Sequence, residues 1–80
     1  MKVILPAVEI RGFETKTNKN GEDYLLLRVE DTITGKTEEL VDKEMSRSAF
    51  YKRGTIVDVY LDINIGKWTK IRVIDCKVRQ

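Results

Sequence analysis

The sequence predicts an all-β fold, a small five-stranded barrel with at most one short helical connector. Three observations carry that prediction. Apolar residues recur with a period of two, the apolar segments are short, and turn residues separate them at close intervals. Successive short strands of this kind remove their exposed edges by closing on themselves. Eighty residues limit the chain to one domain, residues 1–80, with one modest core.

Each element follows from local pattern. Ala7 to Phe13 alternate well enough for a first strand, Pro6 fits its entry, where no ladder donor is missed, and Gly12 marks a bulge. Residues 15–23 read as a polar loop in which Asn20-Gly21 supplies the positive-φ positions of a tight turn. In the second strand, Leu25, Leu27 and Val29 share one face, and Tyr24, Leu26, Arg28 and Glu30 share the other. After a turn over residues 31–35, residues 36–43 form a weaker, edge-like third strand whose only apolar members are Leu40 and Val41. Met45, Ala49 and Phe50 fall at roughly helical spacing and predict one short turn of helix, which Lys52-Arg53-Gly54 stops. Residues 51–78 supply the last two strands as a hairpin. Val57, Val59 and Leu61 share one parity, Ile71 and Val73 give apolar positions on the return, and Asn64-Ile65-Gly66 is the turn chemistry that leaves Trp68 near the tip.

Composition excludes several classes of function. There is no histidine, and the carboxylates and lysines are scattered without a paired arrangement, so the chain does not read as an enzyme and implies no cofactor. Thr34-Gly35-Lys36-Thr37 superficially resembles the end of a phosphate loop, but Glu30 stands where the first glycine belongs. Glu38, Glu39 and Asp42 lack calcium-loop spacing and read as a solvated edge. The single cysteine, Cys76, reads as a small buried hydrophobe and signals no oxidising compartment. No stretch has the length of a membrane span and residues 1–6 are too short for a signal peptide, which gives a cytoplasmic expectation with no membrane partner. The formal net charge is +2, yet residues 1–40 carry six basic and eight acidic groups against nine and five in residues 41–80. The basic excess is local, as a polyanion-binding stripe requires.

A barrel with a mixed aromatic and basic face suits single-strand recognition, in which cations track phosphates and rings stack on unpaired bases. Phe13-Glu14-Thr15-Lys16, followed by Lys19, Gly21 and Tyr24, resembles the Phe-x-Thr-Arg segment, basic loop and Gly-x-x-Tyr of the gene-five-type helix-destabilising proteins of filamentous phages. Tyr51-x-x-Gly54, the twelve-residue step to Gly66, and Trp68 two residues later resemble that family's later spacing. The likeness covers residues 10–30 and 51–75, with the first loop two residues shorter and no assured equivalent of the family's other binding tyrosine. It implies an OB-fold barrel that coats single-stranded DNA as a homodimer, with Lys16 and Lys19 on phosphates, Tyr24 and Trp68 on bases and Leu26 in apolar contact. Arg28 joins by sharing Tyr24's strand parity, and Lys67 and Lys70 by flanking Trp68. The expected function is sequence-tolerant binding of single-stranded DNA that coats or destabilises DNA during replication or transfer of a phage, plasmid or other mobile element. An RNA-binding module and a small protein-interaction barrel are the alternatives, the latter burying Trp68 in a partner.

Overall fold

The computed structural model, described over residues 1–79, turns the two-residue period into five strands: β1 (Lys2–Thr17), β2 (Asp23–Asp31), β3 (Thr37–Asp42), β4 (Ile56–Asn64) and β5 (Lys70–Val78). A 3-10 helix over Met45–Phe50 connects β3 to β4. The strands close in the order β1-β2-β3-β5-β4, with β4 returning to β1. Every pair is antiparallel except β3 with β5. The fold is therefore the all-β, OB-fold-like barrel that the alternation predicts. No helix among the described residues is long and apolar enough to cross a membrane.

Alternating residues fill the interior, with the parity of β5 switched between Val73 and Cys76 by a register shift at Ile74. Val8 and Ile10 of β1, Leu25, Leu27 and Val29 of β2, Leu40 of β3, Val57, Val59 and Leu61 of β4, and Val73 and Cys76 of β5 are buried. Fully burying an aliphatic side chain of this size contributes about 1.5–3 kcal/mol. Burial, with Asp75 nearby, pushes the Cys76 thiol up to about 11, so it packs as a hydrophobe and carries no thiolate at neutral pH.

The sequence reading needs three corrections, the first two of them in β1. The strand begins at Lys2 and passes through Pro6 instead of starting after it. A register shift between Leu5 and Val8 accommodates the proline in a bulge, where its missing N–H costs no ladder bond. Ala7 takes the strained φ of +51° there, and its amide donates to Asp58 Oδ1 at 2.9 Å. At the other end, residues 15–17 extend β1 instead of joining the loop, pairing Lys16 with Tyr24 and Thr17 with Asp23. The turn shrinks to residues 18–22, where Asn18 Oδ1 accepts the amides of Asn20 and Glu22, and Gly21 adopts φ +79°. The expected bulge at Gly12 is present as a register shift between Ile10 and Gly12.

The third correction is to the electrostatics of β3: Asp42 is not on a solvated edge but is fully buried. Tyr51 Oη donates to its Oδ2 at 2.6 Å, Arg47 Nε to the same oxygen at 2.8 Å, and the Glu44 amide to Oδ1 at 2.9 Å. These bonds tie the connector to β3 and satisfy a carboxylate that burial alone would not tolerate.

Candidate nucleic-acid interface

Residues directly opposite one another in a sheet point to the same face. The pairings run Glu14 to Leu26, Leu26 to Val41, Val41 to Arg72, and Arg72 to Asp62. All five strands thus contribute one side chain each to a continuous row on the outside of the barrel. Tyr24 and Arg28 flank Leu26 along β2. Tyr24 is paired with Lys16, and Arg28 with Glu39 of β3. Tyr24, Leu26 and Val41 are half-buried, forming an amphipathic strip across β2 and β3.

The two ends of this row differ in charge. On the β1 side, Glu14 lies 3.3 Å from Lys16 Nζ and 3.0 Å from Arg28 Nη2, and Glu39 lies 3.5 Å from Arg28 Nε. Arg28 first, then Lys16, hold the Glu14 carboxyl below its ordinary range, and Glu14 in turn raises the Arg28 guanidinium. Two cations and two carboxylates cancel there. On the β5 side, a cleft of about 510 Å³ is lined by Val41 and Lys43, by Asp62 and Asn64, and by residues 69–72. Lys43 and Lys70 enter no ion pair among the described residues, and Arg72 meets Asp62 at 3.8 Å. Of the two ends of the row, the uncompensated positive charge therefore lies at the cleft.

The fold brings Lys16, Tyr24, Leu26 and Arg28 together on neighbouring strands and places Lys70 on the cleft. Lys19 stands apart in the turn between β1 and β2, and Lys67 and Trp68 stand in the hairpin tip between β4 and β5. Trp68 is 74% exposed, as its place near the turn predicts. Sequence reasoning did not single out Val41, Lys43 and Arg72 as site residues. Parity carried a signal for each: with Leu40 inside, Val41 faces out, and Arg72 shares the face of Lys70.

Burial first, then the bond to Asp42, pushes the Tyr51 hydroxyl far above its ordinary value, so it stays protonated and acts only as a donor. No group of three or more His, Cys, Asp or Glu residues able to hold a metal ion occurs among the described residues. The class that fold and site define is a small OB-fold-like barrel with an aromatic and basic outer face. No family model, curated protein or solved structure matches the chain.

Proposed function

We propose that this chain is a non-enzymatic, sequence-tolerant single-stranded DNA-binding protein whose ligand lies along the outer row, from Lys16 and Tyr24 to the cleft between β3 and β5. The observation that carries the reading is that continuous row, apolar and aromatic at its centre and cationic at the cleft, with the exposed Trp68 on the adjoining hairpin. Barrels of this kind bind oligonucleotides on the face of their second and third strands and through the loops that flank it. Tyr24 and Trp68 would stack on bases, each stacked base contributing about 1–3 kcal/mol. Lys43, Lys70 and Arg72 would hold phosphates. Stronger binding to the unpaired strand than to duplex shifts the melting equilibrium by mass action. The resemblance to gene-five-type proteins supports a coating role in replication or transfer of a mobile element, and a homodimeric assembly.

The test uses Trp68, the only tryptophan in the chain, as its own reporter. Its fluorescence is titrated with oligo-dT, oligo-U and a duplex at low and moderate salt, with anisotropy read in the same samples. The expected result is strong quenching by oligo-dT, weaker binding as salt rises, and much weaker binding of duplex. Tighter binding of oligo-U would move the assignment to RNA. The double substitution Lys43→Glu with Arg72→Glu is expected to weaken oligo-dT binding by more than tenfold, the consequence of reversing charge at two phosphate contacts. Absence of both quenching and anisotropy change with every nucleic acid would leave the protein-interaction barrel as the reading to pursue.

A further inference from the structure

The cations at the β1 end of the row are already gripping an anion. Glu14 Oε1 accepts a hydrogen bond from Arg28 Nη2 at 3.0 Å, while Oε2 lies 3.3 Å from Lys16 Nζ. Each carboxylate oxygen thus serves a different cation. Lys16 and Arg28 come from different strands, and they converge on one point beside Leu26, the residue opposite Glu14. A phosphodiester presents the same pattern, two anionic oxygens on one centre, and takes the same charge-assisted N–H···O bonds.

Burial and geometry both permit an exchange. The side chains of Lys16, Glu14 and Arg28 are each nearly half exposed, at 46%, 45% and 45%, so replacing the carboxylate disturbs no core packing. Glu39 stands on the other side of Arg28, at 3.5 Å from Nε, and keeps the guanidinium oriented when Glu14 leaves.

We propose that Lys16 and Arg28 form one phosphate-binding site, that Glu14 is its resident competitor, and that a backbone phosphate of the bound strand displaces the Glu14 carboxylate. The inference rests on the single-stranded DNA reading given above. It assigns Glu14 the role of weakening and tuning the interaction, since binding at this end exchanges one anion for another and leaves net neutralisation to the cleft. Because Glu14 and Glu39 already offset Lys16 and Arg28, this end adds little net positive charge to the complex, and the protein's salt dependence is shallower than its count of cations implies.

The experiment compares the full chain with its Glu14→Gln and Glu14→Ala variants in anisotropy titrations of labelled oligo-dT across a salt series, with circular dichroism confirming that each is folded. Removing the competitor is expected to tighten binding about two- to fivefold, the scale of an exposed ion pair. It is also expected to steepen the log–log salt slope by roughly one ion. In an Arg28→Gln background the gain from Glu14→Gln should shrink, because the two residues act on one site. Equal or weaker binding by both folded variants, with the unsubstituted chain still binding, would overturn the inference alone. If neither the chain nor its variants bind oligo-dT, the nucleic-acid reading fails and the phosphate site fails with it.

Discussion

Asp42 is the one charged side chain among the described residues that is fully buried, and its three hydrogen bonds explain how the barrel tolerates it. Removing a donor leaves the carboxylate short of a partner, whereas removing the carboxylate strands the partly buried Arg47 and the phenol of Tyr51. Tyr51→Phe is therefore expected to cost about 2 kcal/mol, and Asp42→Ala about 3 kcal/mol, in urea unfolding. A loss below about 0.5 kcal/mol for both would show that the network is solvated. Residue by residue, the sequence was legible where exposure follows from a turn and illegible where charge finds a partner. Trp68 belongs to the first kind, because Asn64-Ile65-Gly66 sets the hairpin tip. Asp42 belongs to the second: a carboxylate beside Lys43 and Glu44 looks solvated until the connector folds Arg47 and Tyr51 over it. The pairing of Arg28 with Glu14 and Glu39 is equally invisible in one dimension, since it depends on the registers that set Glu14 opposite Leu26 and Glu39 opposite Arg28.

At the scale of elements, alternation specified the strands, and their irregularities escaped it. β2 and β4 match the period-two reading closely because each has three interior aliphatics in strict alternation. β1 departs from it because the bulge at Pro6 and Ala7 breaks the parity between Leu5 and Val8, and a proline inside a strand argues against that strand when read alone. Asp58 of β4 stabilises this irregular point, accepting the Ala7 amide at 2.9 Å and Arg79 Nε at 2.7 Å. Those bonds, the amide foremost, hold its carboxyl below the ordinary value of 3.8. A depressed folded pKa means that the stabilisation is fully present above the unfolded value and is lost as pH falls through the folded one. Melting temperature is thus expected to hold from about pH 7 to about pH 5 and to fall below about pH 4. Asp58→Asn should melt lower at neutral pH and show a smaller acid decline, measured by circular dichroism. An identical acid decline in the variant would remove Asp58 from the account.

Across the whole molecule, closure depends on the contact least available to sequence reasoning, the parallel approach of β3 to β5, in which Val41 pairs with Arg72 across the connector and the last hairpin. That closure leaves the outer end of the β4–β5 ribbon amphipathic. Lys70 and Arg72 line the cleft on one side. Ile63 is paired with Ile71 in the alternation of Leu61 and Val73, but Ile71 remains 42% exposed. Met1 exchanges backbone hydrogen bonds with Ile63 and is also exposed, widening the apolar edge. An 80-residue chain buries a smaller share of its surface on folding than a larger domain does, and a two-fold pairing of this edge would add burial that the monomer lacks. The homodimer we propose would then carry two cationic clefts, and a long single strand spanning both would bind with an avidity that neither cleft provides alone. Ile63→Glu places a charge in the paired edge at a residue that does not line the cleft. Light scattering is expected to give a dimer for the unsubstituted chain and a folded monomer for the variant. Oligo-dT long enough to span both subunits should bind the variant more than tenfold more weakly, while a short oligomer binds both alike. A chain that stays monomeric at high concentration would sink the dimer and leave each cleft to act alone.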